Sequence, residues 1–286
     1  MIPVIDMNGD NLLQEIEDAY TTVGFAVFTN SLSNAEQITM NTWQEEMKSF
    51  FDLPAEIKQK YPYEGDTNLG YQLMGAENVD PDAPKDMKES FNYNQYRMGD
   101  HLWPTEIPDF KTTALASIDV ADRLTLRILE KFDTILNTGN TLVDSHIKSF
   151  NTTRVIHYPA YTGELEENQM RIGEHSDYGT ITLLWQINDV PGLEVQDLEG
   201  IWHSVPYAKN GVVCNIGDLL QRWTNDYFKS TKHRVVNSHI HLQRYSMPHF
   251  VDPEPGTMVQ NLMGGDDKYL PIESLEYLLW RLDQSL

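Results

Sequence analysis

The chain has 286 residues, 40% hydrophobic and 10% aromatic, and its 43 acidic side chains against 21 basic ones give a formal charge of −22. This composition excludes collagen-like, low-complexity and wholly disordered classes and leaves a globular protein long enough to bury a core. The sign of the charge repels phosphate backbones and anionic lipid surfaces, so neither nucleic acid nor membrane is expected as a partner, whereas a small anion held by a few buried arginines stays open.

Met1–Asp10 carries no basic segment ahead of an apolar run, and no apolar stretch nears the roughly 18 residues that span a bilayer. The expectation is a chain without a secretory leader, cytoplasmic, and a monomer or weak oligomer. Ile2–Ile5 reads as a short β-prone start. Asn11–Val23 has helical spacing, with Leu12, Leu13, Ile16, Ala19 and Tyr20 on one side. Gly24 breaks it, and Gly24–Phe28 reads as a strand. Ser33, with Gln37 nearby, is placed to cap a helix running to Phe51 whose stripe is Trp43, Met47, Phe50 and Phe51. Pro54 can open a further short helix.

Tyr61–Pro108 is rich in glycine, proline and aromatics with little periodicity, and reads as long loops with brief strands around Gly70–Tyr71 and Ser90–Tyr93. Ile107–Asn137 returns to strong helical spacing. From Thr152 the pattern becomes short strands: Arg154–Tyr158, Thr180–Trp185, Leu193–Val195, Gly211–Ile216, Arg234–Val236 and Gln243–Met247. The lone cysteine, Cys214, rules out an intrachain disulfide and a cysteine-only metal site. Ile272–Leu286 reads as a final helix. The expected organisation is mainly β with flanking helices, residues 1–110 forming a helical and loop region and residues 111–286 a long helix followed by a sandwich or barrel.

Several residues carry chemistry. On a strand, positions i and i+2 face the same way, so His175 and Asp177 can offer an imidazole and a carboxylate to one metal. A turn capped by Asp177 accounts for the same pair, and chance supplies about one such pair in a chain like this. His233, read alone, is a surface residue at a strand start. Taken together, two imidazoles and a carboxylate cover one face of an octahedron and leave three positions open, as in the facial triad of non-haem Fe(II) oxygenases; Zn²⁺, Mn²⁺ and Co²⁺ accept the same donors. Further on, Arg244 and Ser246 share a strand face, and a guanidinium with a hydroxyl suits a buried carboxylate. Alternation puts Arg154, Ile156 and Tyr158 on one face; the Tyr158 hydroxyl can reach the same carboxylate or simply pack in the core. Arg154 on an apolar strand needs an anion, from a ligand or from a structural Asp or Glu.

The order His175-x-Asp177, His233, Arg244-x-Ser246 resembles the 2-oxoglutarate/Fe(II)-dependent dioxygenase superfamily, most of all its isopenicillin N synthase-like branch. The resemblance runs along almost the whole chain: Ile2–Asp6, Gly24–Phe28, Phe50–Pro54 with Lys58, Leu69–Tyr71, Asp86–Phe91, Trp103–Pro104, Ile107–Phe110, His157–Pro159, Thr180–Leu184, Gly192–Leu193, Trp202 with Val205–Pro206, Asn215–Asp218, Thr224–Asn225 and Ser230–Asn237 match in order. It implies a double-stranded β-helix, or jelly roll, with flanking helices. It implies that His175, Asp177 and His233 bind Fe(II), and that Arg244, Ser246 and Tyr158 hold the distal carboxylate of 2-oxoglutarate. It also implies that O₂ binds alongside, giving succinate, CO₂ and hydrogen abstraction from a small-molecule substrate. Ile156 stands where many plant members carry Asn, and His157 replaces a commoner Tyr, departures that point away from the plant pathway substrates. The interval from His233 to Arg244 is slightly long, and His239 and His241 within it read as a solvated hairpin.

For the prime substrate the branch implies contacts between the barrel mouth and the N-terminal loops. The candidates are Arg154, Phe91, Arg171, Glu89, Trp223 and Phe250, with Tyr71 and Met74 beside them. Hydroxylation or desaturation coupled to 2-oxoglutarate decarboxylation is the leading reading. An iron-dependent oxidase that uses no 2-oxoglutarate, an ethylene-forming relative and a silent metal-bound scaffold are the alternatives.

Overall fold

In the computed structural model, which describes residues 1–76, 84–147 and 150–283, strands from both halves of the chain join one sheet. The first half supplies β1 (Val4–Asp6), β2 (Phe25–Thr29), β3 (Gly70–Gln72) and β4 (Glu89–Tyr93). The second supplies β5 (Thr152–Tyr158), β6 (Ile172–His175), β7 (Ile181–Gln186), β8 (Leu193–Gln196), β9 (Trp202–Ser204), β10 (Val212–Ile216), β11 (His233–Val235), β12 (Arg244–Val251), β13 (Met258–Val259) and β14 (Ile272–Glu273). The large sheet runs β1-β2-β10-β7-β12-β5-β4-β3, and a smaller one runs β6-β11-β8-β9.

Side-chain alternation sorts each strand of the large sheet into two faces. Val27, Val213, Ile156 and Tyr158 meet Ile172, Leu193, Val195 and Val235 of the small sheet, so the two sheets enclose one apolar layer. Ala26, Phe28, Cys214, Leu183, Trp185, Tyr245, Met247, Val155, Phe91 and Tyr93 face the other way, into a larger core. Helices α1 (Leu12–Thr22), α2 (Asn34–Phe51) and α4 (Phe110–Leu136) cover that outer face, with the short α3 (Ala55–Lys58) and α5 (Thr141–Asp144) beside them. This is the jelly roll with flanking helices that the resemblance implies. No helix among the described residues is long and apolar enough to cross a membrane.

The local reasons are readable. The Ser33 hydroxyl accepts from the Glu36 N–H, and the Glu36 carboxylate accepts from the Ser33 N–H, a capping box that starts α2; its partner is Glu36 rather than the neighbouring Gln37. Gly24 joins α1 to β2 at φ +70°, where a Cβ would meet the Lys229 carbonyl at 2.0 Å, so only glycine fits. The expected final helix begins later than its apolar spacing suggests. Ile272–Glu273 is β14, and the Glu273 carboxylate accepts from the Leu275 and Glu276 N–H groups to start α7 (Ser274–Asp283). Residues 284–286 of that expected helix lie outside the described residues. The helix α6 (Asp218–Trp223) went unread because six residues are too few to show a period.

Candidate active site

His175 ends β6 and His233 opens β11, and the two strands pair antiparallel with these residues opposite one another. Their ring centroids are 4.2 Å apart. Asp177 is not on the strand, contrary to the i, i+2 argument: it lies in the turn from β6 to β7. That turn is pinned to α6, where the Asp218 N–H donates to the Asp177 carbonyl at 2.8 Å. The approach is close enough that a Cβ on Gly217 would meet the Gly179 carbonyl at 2.2 Å. The turn thus carries the carboxylate to the same place that a strand period would.

The donor atoms of His175, Asp177 and His233 all lie within 4.8 Å of one another. Asp177 Oδ1 is 3.7 Å from His233 Nε2 and 4.0 Å from His175 Nε2. His175 Nδ1 is 2.9 Å from the Gly173 carbonyl, and His233 Nδ1 is 3.1 Å from the Thr231 carbonyl. A carbonyl only accepts, so each Nδ1 carries the hydrogen and each Nε2 keeps a lone pair for the gap between the rings. Asp177 Oδ2 accepts from Thr182 Oγ1 at 2.6 Å and Asn215 Nδ2 at 2.7 Å, which leaves Oδ1 to face the imidazoles. Burial and the neighbouring His233 hold His175 well below the usual imidazole range. Burial alone would raise Asp177, but the two imidazoles and the hydrogen bonds from Thr182 and Asn215 outweigh it and keep the carboxylate ionised. Two imidazoles, each with Nε2 turned to the gap, and one carboxylate oxygen fit Fe(II).

Beyond this triad, Arg244 and Ser246 lie in register with Tyr158 and Ile156 on the inner face. The Arg244 guanidinium carbon is 5.0 Å from the Tyr158 ring centroid, and the Ser246 hydroxyl is 3.5 Å from that of Tyr158. Arg244 is 1% exposed, and neither its Nη1 nor its Nη2 has a hydrogen-bond partner among the described residues. A buried guanidinium in that state is costly unless an anion meets it. A carboxylate-bearing ligand fits here.

The substrate candidates divide. Arg154 and Phe250 share the inner face, the Arg154 guanidinium 5.8 Å from the Phe250 ring centroid, and Phe250 pairs in register with Thr182, which holds Asp177. Arg171, just ahead of β6, is buried beside Tyr158. Glu89, Phe91 and Trp223 do not reach this space. The register of β4 turns Glu89 and Phe91 outward with Tyr93. Phe91 packs on Phe50 and Phe110, and Glu89 binds Lys58 Nζ at 2.7 Å, His157 Nδ1 at 2.8 Å and the Tyr71 hydroxyl. Trp223 on α6 is buried in the helix-side core, with Tyr71 also in that core, and Met74 is exposed. His239 and His241 lie in the turn that carries the chain from β11 of the small sheet to β12 of the large one, a crossover between sheets rather than the expected hairpin. Unread in the sequence were Thr182 and Asn215, and also Asp218, which accepts from Ser176 Oγ at 3.1 Å and Ser230 Oγ at 2.5 Å and pairs with Arg281 of α7. The available signal was a polar side chain inside an apolar strand, Asn215 within Val212–Ile216.

The fold and these side chains define a non-haem iron oxygenase, and the chain belongs to the 2-oxoglutarate- and Fe(II)-dependent dioxygenase family, whose members use Fe(II), 2-oxoglutarate and O₂. Residues 150–253 match the 2OG-Fe(II) oxygenase superfamily, and residues 2–109 match the N-terminal family described from the non-haem dioxygenase in morphine synthesis. Among particular relatives, the 2-oxoglutarate-dependent dioxygenase htyE of Aspergillus rugulosus is 31% identical over 86% of this chain and 82% of its own. The proline hydroxylase buaE of Petromyces alliaceus is 31% identical over 87% and 84%. A full-length Neurospora crassa protein solved with alpha-KG, that is 2-oxoglutarate, superposes with a TM-score of 0.88 at 30% identity, covering 100% of this chain and 96% of that one. The same protein was also solved with alpha-KG and thymine, at a TM-score of 0.85.

Proposed function

We propose that this chain couples oxidative decarboxylation of 2-oxoglutarate to hydroxylation or desaturation of a small molecule, with His175, Asp177 and His233 holding Fe(II) and Arg244, Ser246 and Tyr158 holding the distal carboxylate. Iron, when bound, supplies activation of O₂ for hydrogen abstraction. The observation that carries the reading is the buried Arg244, its Nη atoms without a hydrogen-bond partner among the described residues, in the same inter-sheet space as a three-donor cluster. The protein's own part is to fix both histidines in one tautomer, to aim Asp177 Oδ1, and to present a guanidinium and two hydroxyls to one end of the co-substrate.

The prime substrate is proposed to enter beside Arg154 and Phe250, where an aromatic face and a guanidinium suit a flat molecule with carbonyl or carboxylate oxygens. The thymine-bound Neurospora crassa protein supports that class without naming this chain's substrate. The division at residue 110 is proposed as one of roles, since β1 to β4 belong to the main sheet. We infer a monomer or weak oligomer without nucleic-acid partners from the acidic charge, and place it in the cytoplasm as a reading with which the single, buried Cys214 is compatible.

Anaerobic titration with Fe(II) and then 2-oxoglutarate tests the reading. A visible charge-transfer band is expected only with both present. Replacing Arg244 by Ala is expected to raise the 2-oxoglutarate concentration required and leave iron affinity unchanged. Iron binding without the band would move the assignment to the oxidase reading.

A further inference from the structure

Arg171 is 1% exposed, and its backbone N–H pairs with the Val235 carbonyl beside the triad strands. Its Nη2 donates to the carbonyls of His239 and Ile240, each at 3.4 Å, and of Leu242. These carbonyls belong to the turn that leads into Arg244. Its Nε and Nη1 have no partner among the described residues. The guanidinium carbon lies 5.7 Å from the Tyr158 ring centroid, against 5.0 Å for Arg244, so two buried cations attend one phenol.

Among the described residues the local charge does not balance. Asp86 is the carboxylate that acts on Tyr158, and it is already engaged by Lys88 at 3.5 Å and by the Gly173 N–H at 3.1 Å. Burial and the repulsion of Arg244 both press on the charged form of Arg171. Two guanidiniums buried within reach of each other are unfavourable until an anion joins them. The turn carbonyls offset part of the cost for Arg171 and hold it still, so little freedom is lost when the anion arrives.

We propose that Arg171 is a second guanidinium for the distal carboxylate of 2-oxoglutarate, acting with Arg244 across Tyr158, rather than a contact for the prime substrate. This rests on the 2-oxoglutarate reading above. Because Arg171 also clamps the turn into Arg244, its loss could act through loosened structure, and the test must separate charge from scaffold. The probe pair is 2-oxoglutarate and 2-oxopentanoate, which differ only in a methyl group where the distal carboxylate stands.

Both keto acids are titrated anaerobically into Fe(II)-loaded wild type, Arg171→Met and Arg171→Lys, with the charge-transfer band as readout and iron affinity measured separately. Arg171→Met is expected to weaken 2-oxoglutarate about tenfold or more while moving 2-oxopentanoate by less than about twofold, with Arg171→Lys between. Repeating Arg171→Met in an Arg244→Met background separates the two roles: a clamp that acts only through Arg244 would then leave 2-oxoglutarate unmoved and overturn the proposal, as would equal weakening of both keto acids, or no change in either, in the single variant. A wild-type protein that binds iron and gives no band with 2-oxoglutarate fails the functional reading instead, before any variant is compared.

Discussion

Every donor of the triad has one atom committed to the protein and one directed to the gap. The carbonyls of Gly173 and Thr231 fix the histidine tautomers, and Thr182 with Asn215 takes one oxygen of Asp177. Removing a donor and removing its holder should therefore differ in size. His175→Ala or Asp177→Ala is expected to abolish Fe(II) binding and turnover. Asn215→Leu, which leaves the donor set intact, is expected to weaken iron about 10- to 100-fold by equilibrium dialysis. Unchanged iron affinity in Asn215→Leu would mean that Thr182 alone aims the carboxylate. At this scale the grouping of His175, Asp177 and His233, and the shared face of Arg244 and Ser246, were legible because residue type and order together are specific. The holders were not, since a lone Asn or Thr on a strand has many uses. Asp177 was found by an argument whose strand geometry does not apply to it: the turn pinned to α6 delivers the carboxylate.

At the scale of elements, the misread residue is Glu89. Its type suggested a ligand contact, but the face of β4 decides its role, and that face is set by pairing with β5, which no local pattern reveals. Turned outward, Glu89 joins Lys58 from α3, Tyr71 from β3 and His157 from β5, while Lys58 Nζ also donates to the Phe51 carbonyl at the end of α2, at 2.9 Å. The network ties the helical layer to one edge of the sheet. Burial would raise the Glu89 pKa, but hydrogen bonds from His157, Lys58 and Tyr71 prevail and leave it below the usual carboxylate value. A carboxylate depressed on folding adds stability that is full above its unfolded pKa, about 4.3, and is lost as pH falls through the folded value. Acid unfolding should accordingly weaken its dependence on pH below about 4 when Glu89 is replaced by Gln. At neutral pH Glu89→Gln leaves a buried ammonium short of its countercharge and is expected to lose about 3 kcal/mol in urea unfolding. The double variant Glu89→Leu/Lys58→Met should recover much of that loss. A single variant as stable as wild type would show that the pair contributes nothing.

For the whole molecule the contrast is between a formal charge of −22 and a proposed ligand site attended by the guanidiniums of Arg171, Arg244 and Arg154. Composition alone disfavours polyanions as partners and cannot show that scarce cations are turned inward, because which face a strand presents emerges only once the sheets close. The chain between Tyr158 and Arg171, whose two ends carry side chains of the proposed site, exposes Glu164, Glu166 and Glu167. A doubly negative co-substrate must therefore cross a repulsive exterior to reach an attractive interior. Salt acts unequally on the two: it screens exposed charge over roughly 8–10 Å and reaches buried pairs far less. Raising ionic strength from about 10 to about 150 mM should thus increase the association rate of 2-oxoglutarate severalfold while changing its dissociation rate little. Stopped-flow recording of the charge-transfer band under anaerobic conditions separates the two rates. An association rate that falls with salt would mean that the pocket's positive field extends past the rim and overrides the net charge, making the inward-facing cations a steering device as well as a binding one.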